Sequence, residues 1–178
     1  MKRIVVLIAA LAVQSAAIAQ GAPADEDRDW GVTPTHQLKQ PPYHAPTPRE
    51  IPDGRVVKTQ ELRAMLDAAP PPLVVDVASG EGHDSIGGAL WLEDAGHGTN
   101  FIDSLQALLA ERLGRLSGGD KTRPLVFFCV NAQCWLSYNA ALRAIALGYT
   151  QVYWYRGGVE AWRAAGLPLA PVRSSPPR

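Results

Sequence analysis

Between Arg55 and Leu169 short runs of β-branched and aromatic residues alternate with amphipathic or alanine-rich stretches, an order that few architectures accept. Val56-Val57, Leu73-Val74-Val75-Asp76-Val77, Ala89-Leu90-Trp91-Leu92, Leu125-Val126-Phe127-Phe128 and Val152-Tyr153-Trp154-Tyr155 read as strands. They are nearly continuous apolar runs, the pattern of strands covered on both faces of a parallel sheet. Between them, Leu62, Met65, Leu66 and Ala69 follow helical spacing after a capping Thr59 and stop at Pro70. A longer helix is expected from about Ile102 to Leu116, with Leu105, Leu108, Leu109, Leu113 and Leu116 on one face. An alanine-rich helix follows over Leu136 to Leu147, and a short one over Val159 to Ala165 ends at Gly166. The fold class predicted is α/β, a mainly parallel sheet with helices on both faces.

The stretch ahead of Arg55 has a different texture. Lys2 and Arg3 precede an apolar run from Ile4 to Val13 and the small-residue exit Ala17-Ile18-Ala19, the layout of a signal peptide over residues 1–19, cleaved after about Ala19. The run is shorter than the ~20 residues a membrane span needs, so no stable span is expected after cleavage. Residues 20–54 hold seven of the fifteen prolines and an acidic patch at Asp25 to Asp29. Such a leader buries too little to offset its ordering entropy and is expected to be extended or disordered. Within it, Trp30 and Pro41-Pro42-Tyr43-His44 are the parts able to dock, because proline lowers the cost of ordering an extended strip. The domain proper is expected over 55–170, with a tail at 171–178. Without Lys2 and Arg3 the chain carries 15 basic against 17 acidic residues and no basic stripe, which argues against nucleic acid as a partner.

Both cysteines fall in the loop Cys129-Val130-Asn131-Ala132-Gln133-Cys134-Trp135, so disulfides cannot hold the rest of the fold. Cys129 ends the most apolar strand and precedes a helix, the place where sheets of this class bind ligands. Backbone amides and the positive end of a helix dipole favour thiolate there, and converging amides of Val130, Asn131, Ala132 and Gln133 can cradle an anionic sulfur. Arg156, at the exit of the neighbouring strand, is the remaining candidate for a substrate anion contact, and Trp135 closes the loop. Asp76, near a strand end, is a supporting residue that either orients a loop or caps neighbouring amides. No cofactor is called for. His36, His44, His83 and His97 are scattered and no metal site is predicted; one built on Cys129, Cys134 and His97 would need the fold to carry His97 over.

The succession LVVDV, SIGGALWL, LVFFC, a short loop, an alanine-rich helix to LGY, and VYWYRGGVEAWRAAGLPL resembles the rhodanese-like domain from Val56 to about Leu169. The resemblance implies that Cys129 accepts a sulfane sulfur as a persulfide and passes it to an acceptor thiol, a sulfurtransferase or sulfur-carrier role. The leader with Tyr43-His44-Ala45-Pro46, together with Ala89 to Leu92, Gly118 to Lys121, Cys134-Trp135 and Val152 to Tyr155, is similar to the exported CXXCW motif proteins associated with PQQ-dependent catabolism. That similarity implies a periplasmic location and a quinoprotein dehydrogenase or cytochrome partner. The chain departs from the rhodanese pattern at Ala78 and Cys134, where arginine is usual, at Ser85 in place of histidine, at Ala132 in place of glycine, and at Trp135 in place of serine. Four residues, not two, separate its cysteines. Three roles therefore stand side by side: Cys129 as persulfide carrier with Cys134 resolving it, a Cys129/Cys134 dithiol–disulfide couple, and a non-catalytic accessory module with Trp135, Tyr153, Trp154 and Tyr155 as binding face.

Overall fold

The computed structural model describes residues 25–172; the expected signal peptide and the start of the leader lie outside the described residues, as does most of the tail. Five strands form one parallel sheet: β1 (Arg55–Val56), β2 (Leu73–Asp76), β4 (Leu90–Trp91), β5 (Leu125–Phe128) and β6 (Val152–Tyr155), in the order β1-β6-β5-β2-β4. All four residues of β5, the central strand, are buried, in agreement with its unbroken apolar run. Alternate side chains separate into two cores. Val75, Leu125, Phe127, Val152 and Trp154 face α2 (Ser104–Ser117) and α3 (Trp135–Ala146). Val74, Val126, Phe128 and Tyr155 face α1 (Thr59–Leu66) and α4 (Gly158–Ala164). Each such side chain fully buried contributes about 1.5–3 kcal/mol, so two-sided burial of four-residue strands is what makes so short a sheet hold.

Three details differ from the sequence expectation. The stretch Gly80 to Gly88, read as a connection, contains β3 (His83–Ile86), which pairs antiparallel with β7 (Leu169–Val172) as a small second sheet. His-Asp-Ser-Ile has no apolar run to announce it, and β7 carries Pro171, which suits an edge. In α2 the inward face is narrower than the leucine spacing suggests: Leu109 and Leu113 are buried with Gln106, while Leu108 and Leu116 are exposed. Thr59 does not cap α1. Lys58 holds that position, with the Glu61 carboxylate accepting its N–H at 2.8 Å, and the buried Thr59 hydroxyl instead meets Tyr155 and Glu26.

The leader is extended and docked. From Asp25 it runs as a strap over the Cys129 loop at the carboxyl end of the sheet and along α3, reaching the amino end of β1 and β6 at Gly54. The Tyr138 hydroxyl donates to Thr35 O and accepts from Thr35 N, Asn139 bonds both polar backbone groups of Lys39, and His44 forms an antiparallel bridge with Cys134. Buried Leu38, Thr47 and Ile51 complete the seam. The low hydrophobic content that argues for disorder is offset by backbone hydrogen bonding to side chains of α3, a kind of partner that composition does not register.

Candidate functional site at the Cys129 loop

Cys129 follows β5 directly and Cys134 precedes α3, so the strand and the helix set the two ends of the loop. The two sulfurs are joined: Cys129 and Cys134 form a disulfide with their Cα atoms 6.1 Å apart. Cys129 is buried, Cys134 is half-buried, and the apex residue Val130 is 44% exposed, so the loop reaches solvent beside its bridge. Val130, Asn131, Ala132 and Gln133, the residues expected to cradle an anionic sulfur, form one tight turn between the two cysteines. The Asn131 side chain accepts from Gln133 N at 3.0 Å, and its carbonyl accepts from Cys134 N at 3.1 Å. Underneath, Val159 N and Glu160 N donate to the carbonyls of Cys129 and Val130. Gly158 makes that approach feasible: its φ is +61°, and a Cβ there would collide with the Cys129 carbonyl oxygen.

The strap roofs the loop. Ala45 N donates to Gln133 O, Trp135 N to Tyr43 O and the Trp135 indole to Pro46 O, while the Thr47 hydroxyl donates to Ala132 O. Tyr43 in turn stacks on His97 at 4.8 Å, which brings His97 to the strap rather than to the sulfurs. Among the described residues no three His, Cys, Asp or Glu side chains group as metal ligands. Trp135, Tyr138 and Trp154 pack edge to face at 5.0 and 5.1 Å, and the Trp154 indole donates to the Ser137 hydroxyl. Trp135, Trp154 and Tyr155 are buried and Tyr153 is half-buried, so the aromatic set is core, not a binding face.

Arg156, the residue expected to meet a substrate anion, is 1% exposed and turned into the strap. Its five N–H groups go to Thr47 Oγ1, to the carbonyls of Asp25 and Glu26, and to those of Arg28 and Thr47, and Trp30 lies 4.6 Å below the guanidinium. Burial, then the like charge of Arg49, lowers its pKa from the usual arginine value, against the pull of Asp25, Asp29 and Asp27. Asp76 is fully buried and acts through its contacts: Oδ1 accepts from Ala78 N at 2.9 Å, and Oδ2 takes His83 Nε2 at 2.8 Å and the Ser85 hydroxyl. It pairs in register with Phe128, the residue before Cys129, and so fixes the turn alongside the loop. Sequence reasoning did not single out Thr47 or the strap backbone as parts of the site. Tyr43 and His44 were the available signal, through the Pro41-Pro42 pair before them.

Several solved structures are similar to this chain. A full-length protein from Lactobacillus plantarum is 22% identical, with a TM-score of 0.49, over 66% of this chain and 88% of that one. A variant of EanB in complex with hercynine is 21% identical, with a TM-score of 0.50, over 68% of this chain and 32% of that one. A thiosulfate sulfurtransferase from Pseudomonas aeruginosa is 21% identical, with a TM-score of 0.46, over 66% and 20% respectively. At these identities the likeness speaks to fold alone. No curated protein matches the chain. The rhodanese-like domain profile matches residues 58–165, from the start of α1 through α4 and with the cysteine loop inside it, and on that match the chain belongs to the rhodanese-like domain family.

Proposed function

We propose that the protein accepts sulfane sulfur at a two-thiol site in which Cys129 takes the sulfur and Cys134 resolves the persulfide, releasing the sulfur as sulfide. The observation that carries this reading is the Cys129–Cys134 bridge at the carboxyl end of β5, the place where the family's fold presents its loop. In the reduced protein the Cys129 thiolate takes the outer sulfur of a donor R–S–S–H, R–S⁻ leaves, and Cys129–S–S–H forms. The Cys134 thiolate then attacks the inner sulfur of Cys129, the S–S bond to the outer sulfur breaks, HS⁻ departs and the disulfide seen here remains. An external dithiol restores both thiols and is itself oxidised to a disulfide. In the reduced full-length chain, Cys134→Ser should hold an adduct of about 32 Da on Cys129, the mass of one sulfur atom. The unmutated chain should instead release sulfide and end bridged. No adduct with any donor sinks the proposal.

A second reading, a dithiol–disulfide couple that never carries sulfur, is favoured by the same bridge; it predicts exchange with dithiols and no sulfide release from persulfides. The signal-peptide layout of residues 1–19 and a bridge of the kind that persists in oxidising compartments together support an exported, periplasmic protein. The resemblance of the leader and the Cys134-Trp135 pair to CXXCW motif proteins supports a place beside PQQ-dependent alcohol catabolism, with a quinoprotein dehydrogenase or its cytochrome as partner. Deleting the gene should lower periplasmic quinoprotein activity, and restoring the Cys129→Ser form separates a thiol role from an accessory one.

A further inference from the structure

We infer that the Cys129 site takes its sulfur from an uncharged or cationic persulfide and discriminates against anionic donors. The inference rests on the sulfur-accepting role proposed for Cys129 and adds the class of donor. Three independent features of the loop carry it.

The first is the state of the anion cradle. A loop of this kind binds an anion through the backbone N–H groups that converge on its centre. Here the amides of Gln133, Cys134 and Trp135 are already taken, by the Asn131 side chain, the Asn131 carbonyl and the Tyr43 carbonyl of the strap. The amides of Cys129, Val130, Asn131 and Ala132 have no acceptor among the described residues. With three of its seven amides tied up inside the protein, the loop offers a reduced cradle for the further charge of an anionic donor. The second feature is Arg156. It is the guanidinium next to the loop, and all its donors point into the strap. The third is the charge beside the loop. A cavity of about 50 Å³ lies against the loop, lined by Asn131, Ala132, Gln133 and Gly157 and by Asp25 and Glu160, with neither cysteine in its wall. Of the nearby cations, Arg28 pairs with Asp25 itself at 3.5 Å, Arg49 with Asp29 at 3.8 Å and Lys58 with Asp27 at 2.7 Å, which leaves Glu160 as the uncompensated carboxylate of the cavity. Glu160 has no ion-pair partner among the described residues and follows Val159 directly under the loop. An anion beside the loop meets the Glu160 charge, no free guanidinium from Arg156 and a cradle with three of its amides occupied.

The test uses the reduced full-length chain carrying Cys134→Ser and three persulfides of one size that differ only in charge: those of cysteamine, 2-mercaptoethanol and 3-mercaptopropionate. Loading of Cys129 is followed by intact mass. The expected order is cation, then neutral, then anion, with a spread of roughly tenfold between the ends that shrinks as salt is added. Glu160→Lys in the same background should raise the anion-to-cation ratio. Equal loading of the three, or faster loading of the anion, overturns the donor class while leaving sulfur transfer intact. No loading from any of them removes the sulfur-accepting role, and the donor class with it.

Discussion

Two buried arginines hold two seams of this molecule, and they do so by opposite means. Arg143, on α3, closes the corner between α2, α3 and the loop before α2. It forms a bidentate pair with the Asp103 carboxylate at 2.7 and 3.0 Å and also donates to Gln106 Oε1 and to the carbonyls of His97 and Asn100. Arg156 holds the strap and donates only to carbonyls and one hydroxyl, with an indole face in place of a carboxylate. The first seam joins parts of the domain core. The second joins the domain to a leader that has little apolar surface of its own. A charge buried against a carboxylate leaves an unpaired charge when either partner is lost, whereas one buried against carbonyls leaves only neutral acceptors.

That contrast sets the sizes of several expected effects. Arg143→Ala should cost about 3–5 kcal/mol of global stability, read from a urea transition, because Asp103 loses its partner in a tightly built corner. Gly98 shows how tight it is: at φ +95° a Cβ there would strike both the Asp103 carboxylate and the Arg143 guanidinium. A loss under about 1 kcal/mol would show that the corner relaxes and that the carboxylate contributes little. Arg156→Ala should cost about 2–3 kcal/mol at the strap, the range for a hydrogen-bonded charged group, while the sheet stays folded. The readout is limited trypsin cleavage at Arg28, Lys39 and Arg49: cutting there ahead of the domain separates a released strap from a global loss of structure, and simultaneous cutting throughout would merge the two seams into one. Trp30→Ala should weaken the same seam by about 1 kcal/mol, through loss of the cation–π contact with Arg156.

The smallest expected effect sharpens the comparison through pH. Burial by itself would raise the Asp103 pKa, but the hydrogen bond from Arg143, the amides of Gln106 and Thr99 and the Arg143 charge together outweigh it, and the folded value lies below the ordinary carboxylate value. A depressed carboxylate stabilises the fold above its unfolded pKa, and that stability is lost as pH falls through the folded value. Acidification below the usual aspartate range should therefore loosen the Arg143 corner, while the Arg156 seam, which has no carboxylate bound to the guanidinium, should change less. Hydrogen exchange at α2 and in the strap, followed from pH 7 downward, measures the two separately. Equal sensitivity at both would erase the distinction.

The strands and the position of Cys129 were legible because they rest on local pattern. Leu125 to Phe128 is apolar on both faces, and no partner needs to be known to see that such a run is buried. Asp76 was placed at a strand end, where it caps Ala78 N and the nearby His83 and Ser85 side chains, and the sequence left that reading open. Arg156 shows where local pattern stops. Its place in the chain, beside the loop, suits an anion contact, and its direction was set by Thr47 and by the carbonyls of residues 25 to 28, more than 100 residues away along the chain. The pairing of β3 with β7 stayed hidden for the same reason, since the two strands are far apart in sequence and neither has an apolar run.

What the sequence determined by itself is the alternation of strand and helix, the two-sided core and the presence of two thiols at the carboxyl end of the central strand. Side-chain periodicity is a local property, and burial follows it. The tertiary structure alone decided that the thiols are joined, that the strap occupies the roof of their loop, and that the guanidinium beside them faces the leader instead of a ligand. Each of these depends on hydrogen bonds and contacts between segments brought together by folding, and no spacing along the chain encodes which acceptor a buried donor will find.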